Sequence, residues 1–328
     1  MKRKPTSRSR RALLIGCGRM GAGVGSDSPA TTSHAGAIVA EGDFALAVYD
    51  ENPAMAEQAA KDFGVLAIGN LRQDDLAAFD VAVICTPTDT HVPYLRKLLA
   101  AGARVIVCEK PVCNDLRSLR TAEQTYDRGE SLVLVNYFRR FLPAYAALQS
   151  TIARLASGQG VRAIAVRYQR GFLNNASHAL DLLQFLLGWD ILAAKASVTS
   201  CSADEFPNDP TLSLCGVWND AELTVTGLPR VKFSLFEIDI FMEQSAVRIY
   251  DRGDVVEIET AKKGGGYYSP LRTISRRSDC LGACLHHLYV RVRKVLQGKT
   301  AEDNFAASLR LAQWMLHTRK RGAKACHD

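Results

Sequence analysis

Across the first 137 residues, short apolar runs alternate with helical patterns, and few architectures accept that order. Residues 12–15, 45–49, 81–85, 105–108 and 132–135 are aliphatic or β-branched and too short to be helices, so they read as strands. Between them, residues 53–63, 91–101 and 115–128 carry helical spacing, the last stopped by Gly129. Such alternation builds right-handed crossover units and a parallel sheet covered on both faces. The expected fold class is α/β, opening with a doubly wound parallel sheet.

The second half follows another rule. Residues 161–170, 191–200, 210–219, 221–228, 231–242, 245–250 and 254–261 are strand-like, with one helical stretch at 176–187. Short turns such as Asn219-Asp220 favour a large, mainly antiparallel, open-faced sheet in an α+β domain. Residues 280–297 and 302–319 close the chain as helices. The domain reading is a basic tail at 1–11, a dinucleotide-binding domain at 12–137 and a substrate-binding and oligomerisation domain at 138–328.

Charge excludes one class of function. The net charge is +7, but residues 1–11 hold six basic groups and no acid, and residues 317–328 hold four against Asp328. Without these ends the body carries −2, so a surface for tracking nucleic acid is not expected. Nine cysteines without a CxxC pair read as free thiols in a reducing cytoplasm. Cys280, Cys284, His286 and His287 lack the common zinc spacings, so no metal is expected. Arg10-Arg11 precede only four apolar residues, short of the roughly 7–15 of an export signal, and no run approaches the ~18 that span a bilayer.

Gly16-Cys17-Gly18-Arg19-Met20-Gly21 follows the first strand as G-x-G-x-x-G. Its glycines let the backbone turn tightly and approach a pyrophosphate, as in a Rossmann domain. The Gly/Ser/Pro-rich stretch after Gly21 places the next helix near Thr31 rather than at the glycines. Asp50, ending the second strand, is placed to accept hydrogen bonds from ribose hydroxyls and to repel the extra phosphate of NADP, which favours NAD.

Three more stretches complete a pattern: Cys85-Thr86-Pro87-Thr88-Asp89-Thr90-His91, Glu109-Lys110-Pro111, and Asn174-Asn175-Ala176-Ser177-His178. With the glycines, and in this order, they resemble the glucose–fructose oxidoreductase, inositol dehydrogenase and MocA-type superfamily of NAD(P)-dependent sugar oxidoreductases. The resemblance implies that Gly16 to Gly21, Asp50, Thr86, Pro87, His91, Glu109 and Lys110 hold the cofactor. It implies that Lys110 and His178 are catalytic, with a Lys110–Pro111 bond that is often cis in relatives. The family's aspartate four residues before the histidine is Asn174 in this chain, which can orient a hydroxyl but cannot carry the charge. Tyr137, Arg139, Arg140, Asn174, Asn175 and His178 fall in stretches that resemble the family's substrate side. Alcohol oxidation suits these types, because a histidine can take the hydroxyl proton and a lysine can stabilise the developing alkoxide.

The loop ending in Thr31-Thr32-Ser33-His34 and the form Asn175-Ala176-Ser177-His178 resemble the branch acting on nucleotide-linked sugars, including UDP-N-acetylglucosamine 3-dehydrogenases of lipid A and lipopolysaccharide synthesis. That implies a nucleotide-sugar substrate, oxidation at the 3-hydroxyl, an aminotransferase using pyridoxal phosphate as pathway partner, and a homodimer or homotetramer. Arg139, Arg140, Arg167, Arg170 and the 262–268 loop with Tyr267 are available for a diphosphate. Two alternatives remain open. One is a dehydrogenase or reductase of a free sugar, inositol or deoxysugar ketone, and the other is an NAD-binding regulator without catalysis.

Overall fold

The computed structural model describes residues 10–25, 32–126, 131–206, 208–262 and 269–325 of the chain. It divides into two compact units, Met1–Asn136 with Ala283–Ala306, and Tyr137–Gly282 with Ala307–Asp328.

The first unit runs β1 (Arg10–Ile15), α1 (His34–Glu41), β2 (Phe44–Tyr49), α2 (Pro53–Phe63), β3 (Leu66–Ala67), α3 (Gln73–Leu76), β4 (Val81–Ile84), α4 (Thr88–Ala100), β5 (Val105–Cys108), α5 (Leu116–Tyr126) and β6 (Leu132–Val135). The strands lie in the order β3-β2-β1-β4-β5-β6 and all pair in parallel. Every residue of β4 and β5 is buried, as expected of strands covered on both faces. Strand order reverses between β1 and β4, which opens a crevice at their C-terminal ends. Local signals set the helix ends: Asn52 caps α2 by accepting from the Ala54 N–H at 3.2 Å, Pro53 occupies its first turn, and Gly64 ends it in the left-handed region.

The chain returns to this unit late. Helix α8 (Cys284–Leu296) packs on α1 and buries Leu285, Leu288, Tyr289 and Val292. Residues 283–306 therefore depart from the single domain drawn over 138–328, because the apolar stripe of α8 finds its partner on the first unit. The basic tail is also shorter than drawn. Arg10 and Arg11 are the first residues of β1, in register with Phe44 and Ala45.

In the second unit, α6 (Pro143–Gln159), β7 (Val161–Gln169) and α7 (Ser177–Leu187) precede β8 (Lys195–Ser202), β9 (Thr211–Trp218), β10 (Ala221–Leu228), β11 (Phe236–Met242), β12 (Ser245–Tyr250), β13 (Val255–Ala261) and β14 (Leu271–Arg277). The sheet order is β14-β13-β12-β11-β7-β10-β9-β8, antiparallel except for β7 with β10. In β10, buried Ala221, Leu223 and Val225 alternate with exposed Glu222, Thr224 and Thr226, the signature of a sheet covered on one face. Asn219 and Asp220 both take positive φ, as a tight hairpin turn with the right twist demands. β14 is exposed at every position, which is why its apolar signal is too weak to read. Helix α9 (Phe305–Ala325) closes the chain. No helix among the described residues is long and apolar enough to cross a membrane.

Seven of the described cysteines are free thiols, but Cys201 is disulfide-bonded, which corrects the all-thiol expectation. Cys201 is half-buried on the edge strand β8, whereas Cys17 and Cys108 are walled into the core.

Candidate active site

In the first unit the glycine turn sits over the crevice. A Cβ on Gly16 would stand 2.7 Å from the carbonyl of Cys85, and one on Gly21 would stand 1.9 Å from the Gly16 oxygen, so both positions exclude any side chain. Around Gly18 a Cβ would meet nothing within 4 Å. Among the described residues, the backbone N–H groups of Gly18, Arg19 and Met20 donate to no partner. An open patch of unpaired amides beside a tight turn fits a pyrophosphate.

The helix that follows is arranged differently from the usual fingerprint. The first-turn N–H groups of α1 at His34 and Ala35 donate to the carbonyls of Met20 and Gly21 at 2.9 and 2.8 Å. The loop thus caps α1, and the free amides of the turn stand in for the helix terminus. Cys17 contributes neither group to a ligand. Its N–H donates to Asp50 Oδ2 at 2.7 Å, and burial, with Asp50 adding, pushes its thiol up to about 12. The Asp50 carboxylate also accepts from the Asn52 N–H at 2.9 Å, and it stays half-buried at the end of β2 with lone pairs for ribose hydroxyls.

Two residues read as cofactor ligands turn inward. The ring nitrogens of His91 lie 2.9 Å from the Pro111 carbonyl and 2.8 Å from that of Thr86, so this buried histidine ties together the two loops flanking Lys110 and Pro87 and has no nitrogen left for a ligand. Glu109 Oε1 meets His34 Nε2 at 2.9 Å and accepts from Asn136 Nδ2 at 2.6 Å, while His34 Nδ1 stands 2.5 Å from the Tyr289 hydroxyl. Burial pushes the Glu109 carboxyl up, but His34 and Asn136 outweigh it and hold the pKa below the usual glutamate value. The Lys110 N–H donates to Glu109 Oε2 at 3.2 Å, and the Lys110–Pro111 bond is cis. The His34 to Tyr289 relay has no sequence signal, since its ends lie 255 residues apart.

In the second unit, a π-helical turn at Phe172–Ala176 leads into α7 and carries Asn174 and Asn175. Asn175 Nδ2 donates to the carbonyls of Gln169 and Arg170 at 2.7 and 2.8 Å. Asp209, missed in the sequence, accepts from the N–H groups of Leu173 and Asn174 at 2.7 and 2.8 Å, capping this turn from 35 residues downstream of Asn174. His178 stands edge-on to the rings of Tyr137 and Phe138, each 5.8 Å between centroids. It opens on a cavity of about 200 Å³ lined also by Arg139, Gln169, Arg170, Asn175 and Arg252.

Arg140 and Arg167 are not at this cavity. Arg140 Nε pairs with the buried Asp181 Oδ2 at 2.6 Å, and Arg167 bridges Glu237 and Asp239 at 2.6 and 2.7 Å across the sheet. Arg140 answers a carboxylate on α7 and Arg167 two carboxylates on the neighbouring strand β11, so neither guanidinium lines the cavity. Tyr137 is buried against His178 instead of facing the cavity, and Tyr267 lies outside the described residues.

Fold and glycine turn define an NAD-binding Rossmann domain, and the matching family model, described as "Oxidoreductase family, NAD-binding Rossmann fold", covers residues 10–137. The match to this glucose–fructose oxidoreductase, inositol dehydrogenase and MocA family model takes in less than half of the chain, so the likeness is to that family's cofactor-binding domain. It is 28% identical over 198 residues to an inositol 2-dehydrogenase of Rhizobium meliloti (strain 1021), a match spanning 56% of this chain and 57% of that protein. Among solved structures, the UDP-N-acetylglucosamine 3-dehydrogenase of Acidithiobacillus ferrooxidans superimposes with a TM-score of 0.75 at 17% identity, over 97% of this chain and 99% of that one. A levoglucosan dehydrogenase in complex with NADH and L-sorbose gives 0.78 at 16% identity, over 96% and 97%. Both structural matches speak for the two-part fold.

Proposed function

We propose that the chain is an NAD-dependent dehydrogenase that oxidises a ring hydroxyl of a sugar or cyclic polyol to a ketone. The observation that carries this is His178, held by two aromatic rings at the mouth of a polar cavity, in the segment that resembles the family's catalytic histidine. Bound NAD supplies the hydride acceptor. His178 takes the hydroxyl proton, Lys110 offers a cation to the developing alkoxide, and Asn174 orients a substrate hydroxyl. Asp50 fits the unphosphorylated ribose of NAD.

A nucleotide-linked sugar, with UDP-N-acetylglucosamine oxidised at its 3-hydroxyl, is the finer reading. It draws support from the arginines around the cavity and from the likeness to a UDP-N-acetylglucosamine 3-dehydrogenase. Its 3-keto product suits a cytoplasmic aminotransferase as the next step. The inositol dehydrogenase relatives support the rival substrate, a free cyclic polyol.

NADH absorbance with myo-inositol, free hexoses and UDP-sugars separates the two. Lys110→Met and His178→Asn are each expected to lower kcat by about 10²–10⁴-fold while NAD still binds. Near-normal turnover in both variants overturns the assignment.

A further inference from the structure

We infer that the cavity beside His178 contains an anion subsite, in which Arg139, Arg170 and Arg252 grip one carboxylate or phosphate group of a hydroxylated substrate. The inference deepens the dehydrogenase reading and rests on it for the position of the reacting carbon.

Charge is the first observation. The described residues lining the cavity include three arginines and no carboxylate. A neutral polyol gives guanidinium groups no counter-charge, whereas a planar anion matches their paired donors. Arg139 is preorganised: its guanidinium lies 3.8 Å from the ring centroid of Phe236 and 4.6 Å from that of Phe138, and Nη2 donates to the Arg252 carbonyl at 2.6 Å.

Backbone strain is the second. Arg170 and Arg252 have φ of 54° and 59°, the left-handed region where glycine or asparagine costs least. A long cationic side chain at both positions needs a reason beyond the turn. Their acidic partners hold them loosely, with Arg170 to Glu205 at 3.4 Å and Arg252 to Asp251 at 3.7 Å, all four side chains at least 39% exposed. Such pairs are weak and screened, so a ligand anion in the cavity displaces them readily.

The third observation gives the rest of the ligand. Gln169 is 4% exposed, yet its Oε1 has no hydrogen-bond partner, and neither has the buried Nε of the adjacent Arg170. An unsatisfied acceptor beside an unsatisfied donor suits a molecule carrying both hydroxyls and an anionic group. Uronic or aldonic acids, sugar phosphates and the diphosphate of a nucleotide sugar share this chemistry.

Calorimetry on the full chain with NADH tests it without requiring turnover. The probes are D-glucuronate, its neutral methyl ester, D-glucose 6-phosphate, UDP-N-acetylglucosamine and myo-inositol. At least one anionic probe is expected to bind tenfold or more tightly than the neutral probes and to weaken as salt rises, and which one binds identifies the source of the anion. Arg170→Gly and Arg252→Gly are expected to cut that affinity at least tenfold while Tm holds or rises, because glycine relieves the positive φ. Equal binding of charged and neutral probes, or unchanged anion affinity in both folded glycine variants, overturns the subsite. Arginine-dependent anion binding with no NADH from any probe leaves the subsite standing and sinks the dehydrogenase reading. NADH formed from neutral polyols without anion preference does the reverse.

Discussion

Asp181 illustrates how one residue's environment decides its role. Burial raises its carboxyl pKa, and Arg140, its partner at 2.6 Å, pulls the value back without cancelling the rise. Arg140→Ala leaves a buried carboxylate without a counter-charge, which is expected to cost about 3–5 kcal/mol at neutral pH. Because the folded pKa lies above the unfolded one, the loss is largest above the folded pKa and shrinks as acid protonates Asp181. Urea unfolding of the variant and the parent at neutral and mildly acidic pH checks this, and a pH-independent difference contradicts it. At this scale the sequence showed residue types well and partners poorly. Glycine spacing betrayed the turn, since a close approach admits only one residue type. Nothing in the spacing told that Arg140 would answer Asp181, that Glu109 would face His34, or that His91 would use both nitrogens on carbonyls.

Among the elements, the π-helical turn before α7 is the least expected. Its position between β7 and a helix was legible from the apolar pattern, but its support was not, because Asp209 comes from the loop between β8 and β9. Asp209→Ala strands the Leu173 and Asn174 amides at a cost of about 1–3 kcal/mol each. The turn presents Asn174, Asn175 and His178, so a fall in kcat larger than the fall in NAD affinity is expected, read by steady-state kinetics and cofactor titration. Equal stability and unaltered kcat would show that the cap is dispensable. The parallel strands were the clearest elements, their near-continuous burial leaving unbroken apolar runs. β3, two residues long, and β14, exposed throughout, bury too little to leave such a trace.

For the whole molecule, the basic excess is concentrated at the two ends of the sequence, six basic groups in residues 1–11 and four against Asp328 in residues 317–328. Deleting residues 2–9 is expected to leave kcat and KM nearly unchanged, and a large rise in substrate KM would place the tail at the site. The cofactor unit is discontinuous: α8 covers α1 with Leu285, Leu288 and Val292 and sets Tyr289 on His34. A fragment of residues 10–137 is therefore expected to aggregate or bind NAD poorly, and linking residues 283–306 to it to restore binding. Full NAD affinity in the shorter fragment, by fluorescence titration, contradicts that.

For anyone recombining this gene with a relative's, the late return of α8 means that the cofactor module is not a single cassette. A crossover near codon 137 would join one parent's His34 and Glu109 to the other parent's helix beneath them. Chimeras meant to exchange cofactor preference need two breakpoints more, so that residues 283–306 travel with the helix α1 they cover.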